Sequence, residues 1–144
     1  MEKKRDFWAK QREFSAKQHQ KMFLQALNAE GVLPIPDISF FSDQDTSMQG
    51  KRLHEIIRNV ENVTIEDWKE AKKTILETIL MSSAWMVFEN RWNVGSFVVA
   101  AELLRSHLDS FYRTVGPDLY CATLDLSHGF VFDKDEYSCS LRIW

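Results

Sequence analysis

The chain holds little cysteine: Cys121 and Cys139 are two thiols among 144 residues. Two thiols cannot build the disulfide framework of a small secreted domain. They also show no metal-ligand spacing with the four histidines, His19, His54, His107 and His128. Proline (three) and glycine (five) are scarce too, which excludes a collagen-like or low-complexity chain. No stretch reaches the roughly 18 uncharged apolar residues of a membrane span. The longest apolar run, Thr78 to Phe88, is too short, and no apolar run follows the charged residues at the N-terminus. The expectation is therefore no signal peptide, no membrane association and a cytoplasmic protein whose cysteines are buried thiols.

Motifs that carry chemistry are also missing. There is no Gly-x-Ser-x-Gly elbow and no glycine-rich phosphate loop. Asp43, Asp45 and Ser47 start like a calcium loop, but Met48 stands where glycine is needed and His54 where the bidentate glutamate belongs. His54-Glu55 has Arg58, not a second histidine, four residues after the first. Pro36-Asp37 with Asp67-Trp68-Lys69 imitates the acids and lysine of a metal-dependent nuclease. That second part opens a helix, however, and a capping role accounts for Asp67. No catalytic residue, metal site or cofactor is assigned, and the chain is expected not to be an enzyme.

What is present suits one globular domain spanning 1–144. The hydrophobic fraction is 44%, the charged fraction 27% and the aromatic fraction 12%, enough apolar surface for a core without staples. Good helix formers over residues 2–29 predict a first helix ended by Gly31, Pro34 and Pro36. Residues 31–46 read as an irregular but apolar segment. Thr46-Ser47-Met48-Gln49 matches a capping box and predicts a second helix to about Glu61. Thr64 followed by Glu66 and Asp67 predicts a third. Its apolar turn from Met81 to Phe88 should be fully buried. Ser96 is a cap for a fourth helix, in which Phe97, Ala101, Leu104, Leu108, Phe111 and Val115 keep heptad spacing up to Gly116-Pro117.

Beyond that point the period switches to two. Tyr120 to Leu126, Phe130 to Phe132 and Tyr137 to Trp144 predict an antiparallel meander of two or three strands, with Asp133 to Glu136 as a polar turn. Cys121 falls on the Thr123 and Asp125 face, where exposure is possible. Cys139 aligns with Tyr137 and Leu141 as core. The two thiols could meet if their strands pair, although a cytosolic disulfide is disfavoured. The expected fold is α+β and mainly α: a four-helix assembly over residues 2–116 with the meander, 119–144, packed on it. No internal repeat stands out.

Charge is uneven although the net value is only -3. Residues 1–21 hold seven basic residues against three acidic ones; the remainder holds eleven against eighteen. The basic first helix places Phe7, Trp8 and Phe14 among cations, a combination that fits nucleic acid, while the acidic body repels phosphate. Beyond residue 115, Asp118, Asp125, Asp133, Asp135 and Glu136 face only Lys134 and Arg142, with Tyr120, Tyr137 and Trp144 close by. Aromatic anchors ringed by acid suit a basic protein surface. The leading expectation is thus an interaction module that neutralises a basic partner, most concretely an immunity or antitoxin protein that plugs a toxin nuclease. Asp133, Asp135, Glu136, Tyr137, Asp125 and Tyr120 are the expected contact residues. The alternative expectation is a nucleic-acid-associated regulator using residues 1–21. The heptad seam of the fourth helix serves a monomer or a homodimer equally well.

Overall fold

A computed structural model describes the backbone of residues 2–32, 38–79, 83–89, 91–92 and 94–144, and side chains from Asp6 onward. Asp37 of the nuclease-like pair, the prolines at 34 and 36, and Met81 lie outside the described residues, as do the side chains of Lys3, Lys4 and Arg5. The elements are α1 (Glu2–Ala29), β1 (Ser39–Phe40), α2 (Asp43–Ile57), β2 (Val63–Ile65), α3 (Trp68–Thr78), β3 (Ala84–Phe88), β4 (Ser96–Ala100), α4 (Ala101–Ser106), α5 (Leu108–Val115), β5 (Leu119–Thr123), β6 (Gly129–Lys134) and β7 (Cys139–Ile143).

The expected four-helix assembly with a short meander is incorrect. The seven strands among the described residues join one antiparallel sheet in the order β1-β4-β3-β5-β6-β7-β2. The five helices among the described residues divide between its two faces. One face carries Trp85, Val87, Phe97, Val99, Leu119, Cys121, Phe130 and Phe132 under α1, α3, α4 and α5. The other carries Met86, Phe88, Val98, Ala122 and Tyr120, with α2 laid on it through Leu53, Ile56 and Ile57. A sheet covered on both sides buries consecutive residues of its middle strands. Trp85, Met86 and Val87 are all fully buried for this reason.

The misread segments have local causes. Ala84–Phe88 is a strand because its neighbours β4 and β5 pair with it on both edges. A continuous apolar run of that length looks the same as a buried helical turn. Ser96 begins β4 and caps no helix; Phe97 lies on that strand, Ala101 opens α4, and the helical path breaks at His107, where α5 begins. The capping residues also move. Ser42 caps α2, its Oγ accepting from Asp45 N at 3.1 Å, with Asp43 and Asp45 at the positive end of the helix dipole. Thr46 instead shares a 2.7 Å hydrogen bond with Ser96, tying α2 to β4. Thr64 sits in β2, opposite Ser140, and Asp67 caps α3 through Glu70 N at 2.9 Å. The helical start at Asp43 also removes the calcium-loop geometry from Asp43, Asp45 and Ser47.

α3 is locked to α5 by stacking and charge. The Trp68 and Tyr112 rings lie parallel, 4.0 Å apart. Trp68 Nε1 donates to Asp109 Oδ1 at 2.8 Å, and Lys72 bonds the other carboxylate oxygen. Lys72, then Trp68, hold the Asp109 carboxyl below its ordinary value. At the C-terminus, Trp144 packs on Gly129. A Cβ at Gly129 would approach the Trp144 ring to 2.3 Å, so only glycine admits this contact.

Candidate partner-binding surface

The C-terminal strands decide where the acidic residues go. β5 and β6 pair with Leu119 opposite Phe132 and Tyr120 opposite Val131. This register brings Asp118, Tyr120, Asp133 and the β6–β7 turn to one end of the sheet. Asp125 lies in the β5–β6 turn, at the far end. Six residues of strand separate the two ends by roughly 17 Å. Of the six expected contact residues, therefore, Tyr120, Asp133, Asp135, Glu136 and Tyr137 gather together and Asp125 does not.

Each of the five has a distinct situation. Asp133 projects from the α2 side of β6, between Tyr120 Oη at 2.8 Å and Arg142 Nη1 at 3.4 Å. Its charge is partly compensated by Arg142. Burial, and then the Asp133 carboxylate, push the Tyr120 hydroxyl well above its ordinary value, so it stays a proton donor. Asp135 closes the hairpin: its Oδ1 accepts from Tyr137 N at 2.8 Å and Ser138 N at 2.7 Å. Those backbone donors lower its carboxyl below the usual range. The Asp135 side chain is thus a turn builder with its charge still in solvent. Glu136 is exposed, and Tyr137 is 90% exposed at the hairpin tip. Asp125 builds its own turn in the same manner. It accepts from Thr123 Oγ1 at 2.8 Å and from Ser127 Oγ at 2.7 Å and N at 3.1 Å. The Ser127 bonds come first in lowering its carboxyl to about 2.

Beside this cluster a cleft of about 270 Å³ opens between α2 and the sheet. Leu53 and His54 form one wall; Phe88, Glu89, Asp118 and Tyr120 form the other. Asp118 is exposed and accepts from Lys134 N at 3.0 Å. Glu89 is only 8% exposed. Its carboxylate accepts from Trp92 N at 2.6 Å, Val94 N at 2.6 Å and Gly95 N at 3.0 Å, and so fixes the β3–β4 turn. At the same end Arg91 lies against the Trp92 ring, its guanidinium carbon 5.9 Å from the ring centroid. The cleft therefore combines apolar walls, a phenol and carboxylates. That chemistry fits the stem and head of an arginine or lysine side chain.

Sequence reading missed Leu53, Phe88 and Glu89. They come from two segments more than thirty residues apart in the chain, with no shared spacing to betray them. A lone glutamate ending an apolar run, as in Val87-Phe88-Glu89, was the available signal.

The remaining candidates fall elsewhere. Phe7, Trp8 and Phe14 stand on the exposed part of α1, with 55%, 55% and 65% of their surface accessible. Cys121 is fully buried, not exposed, because it lies on the sheet face covered by α1, α3, α4 and α5. Cys139 is buried on β7, and β6 lies between the two strands. Strands two positions apart are about 10 Å distant, beyond the reach of a disulfide. Among the described residues no three His, Cys, Asp or Glu side chains cluster to hold a metal ion, and no helix is long and apolar enough to cross a membrane. Compared with known proteins, the chain matches no family model, and no curated protein resembles it closely enough to count as a relative.

Proposed function

We propose that the protein acts by binding: a small cytoplasmic interaction module that uses the acidic end of its sheet to neutralise a basic protein. An immunity or antitoxin protein that blocks a toxin nuclease is the most concrete form of this reading. The observation that carries it is Tyr137, a large aromatic side chain that packs on almost nothing of its own fold. It follows Glu136 in the turn held by Asp135, at the same end of the sheet as Asp118, which lines the cleft. Exposed tyrosines of this kind are the usual anchors of interfaces. Surrounding carboxylates raise the association rate of a cationic partner without needing to supply most of the affinity. A nuclease active site is cationic because it holds phosphate, so an acidic plug is steered to it. An arginine or lysine of the partner fits the cleft, its stem on Leu53 and Phe88 and its head toward Asp118.

The test is affinity capture of the tagged full chain from lysate of its own source after nuclease treatment. Wild type is run beside a Glu136→Lys/Tyr137→Ala variant, which alters two solvent-exposed side chains and leaves the turn bonds of Asp135 intact. A basic protein retained in stoichiometric amount by the wild type and lost by the variant supports the reading. Retention of no basic protein, or equal retention by both, overturns it.

A further inference from the structure

The most conspicuous unexplained feature is the N-terminal part of α1. Residues 6–18 are exposed throughout, an arm about 20 Å long that carries Phe7, Trp8 and Phe14 into solvent. α1 docks on the body through Phe23 and Leu27, both fully buried. Phe23 follows Phe14 by nine residues, about two and a half turns, so Phe14 points away from the docked side. Met22, next to Phe23, is itself 53% exposed. The aromatic stripe is thus not a frayed continuation of the core face. It lies on the other side of the helix, where the chain's own body offers no cover. Contiguous apolar surface of this kind marks a contact.

The arm also holds a short repeat that domain-scale periods hide. Lys3-Lys4-Arg5-Asp6-Phe7-Trp8-Ala9 is followed by Lys10-Gln11-Arg12-Glu13-Phe14-Ser15-Ala16. Both read Lys-x-Arg-acid-Phe-x-Ala. A seven-residue period keeps Phe7 and Phe14 on one face and sets Lys10, Lys17 and Lys21 along one flank of it. The other flank carries Trp8, Ser15 and Met22. Two arms laid side by side on the stripe would oppose lysines to lysines, or lysines to this uncharged flank; the arm's own acids, Asp6 and Glu13, lie beyond the lysine flank, away from the stripe. The stripe therefore calls for a cover that is acidic and offers apolar contact.

We infer that the arm of one copy docks on the acidic end of the sheet of a second copy, its aromatic side chains meeting the Leu53 and Phe88 cleft and Tyr137, its lysines meeting Asp118 and Glu136. The charges are complementary: residues 1–21 carry a net +4 and the rest of the chain a net -7. A two-fold exchange makes the contact twice, which brings the buried area toward the roughly 1,200–2,000 Å² of a stable interface. The inference concerns the chain alone and holds whether or not a basic partner binds. A basic partner using the same end would displace the arm.

The test uses two charge-reversed full-length variants, Lys10→Glu/Lys17→Glu and Asp118→Lys/Glu136→Lys, in analytical ultracentrifugation. Circular dichroism checks each fold, since Asp118→Lys gives up the bond to the Lys134 amide. The wild type is expected to dimerise reversibly and less at high salt, and each variant alone to dimerise roughly tenfold or more weakly. Mixing the two variants should then restore a heterodimer, because each arm meets a body of opposite charge. A wild type that stays monomeric, a dimer indifferent to the body reversal, or a mixture that forms no heterodimer overturns the inference. So does a monomer whose arm binds anionic vesicles or nucleic acid, since the stripe then has another cover.

Discussion

Replacing Glu89 with glutamine should destabilise the protein well beyond what its near-identical shape suggests. The carboxylate is buried and accepts three backbone N–H groups from the β3–β4 turn, two on Oε1 and one on Oε2. Glutamine supplies one oxygen. If that oxygen faces Val94 and Gly95, both amides keep an acceptor but lose charge assistance, at about 1 kcal/mol each. The Trp92 amide then confronts a second N–H donor and is left unmet, at about 1–3 kcal/mol. The total is about 3–5 kcal/mol, a large part of the 5–15 kcal/mol typical of a domain. Guanidinium unfolding followed by tryptophan fluorescence measures it, and the thermal midpoint should drop by about 10–15 °C. A loss below about 1 kcal/mol would refute the claim that this carboxylate organises the turn. Because Glu89 also lines the cleft, the variant should weaken partner binding along with stability.

Three further outcomes follow from the packing. Gly129→Ala drives a Cβ into the Trp144 ring and the Cys121 carbonyl; a loss of about 1–3 kcal/mol in chemical unfolding is expected. The carboxyls of Asp109, Asp125 and Asp135 are all lowered in the folded chain. Being ionised in the fold where the unfolded chain would bind protons, they stabilise it above their ordinary values. That contribution fades in acid titration below about pH 4, with Asp125's share going as the pH falls through about 2. Burial raises the Cys121 thiol well above its ordinary value, and both cysteines are buried. Neither should react with a thiol reagent until the chain is unfolded, and non-reducing gels should show no internal disulfide.

How much of this was legible in the sequence depends on how each residue is surrounded. α1 spans Glu2–Ala29, the stretch rich in Lys, Gln and Ala, because helix propensity over its exposed residues 6–18 competes with no packing. β5, β6 and β7 occupy the stretch where apolar and polar residues alternate, since their turns are marked by Asp125 to His128 and Asp135 to Ser138. β1 and β2 contain two and three residues, too few to display a period. Ser96 to Ala100 is a strand and Ala101 to Val115 is helical with a break at His107; the strand escapes notice because Phe97 and Ala101 keep helical spacing by coincidence, Phe97 buried from a strand and Ala101 from a helix, against the same core. A sheet coated on both faces erases the alternation that identifies strands, and Trp85, Met86 and Val87 show it.

The candidate surface was legible in the same uneven way. Glu136 and Tyr137 stand out in a hairpin turn, where a sequence can place them. Asp135 and Asp125 looked like surface charge but mainly hold their own turns, a role that depends on backbone donors two and three residues on. The separation of Asp125 from the others follows from the β5–β6 register, which composition does not encode. The cleft unites α2 with β3 and β5, so it exists only once α2 lies on the sheet.

The most direct test of the central claim is the affinity of the purified captured partner for wild type and for Tyr137→Ala, measured by calorimetry at two salt concentrations. Loss of an anchor of this kind should weaken binding by roughly 30-fold or more, about 2 kcal/mol. Binding to the wild type should also weaken as salt rises. Equal affinity for both proteins, or an affinity indifferent to salt, would contradict the assignment of the acidic end as the binding surface.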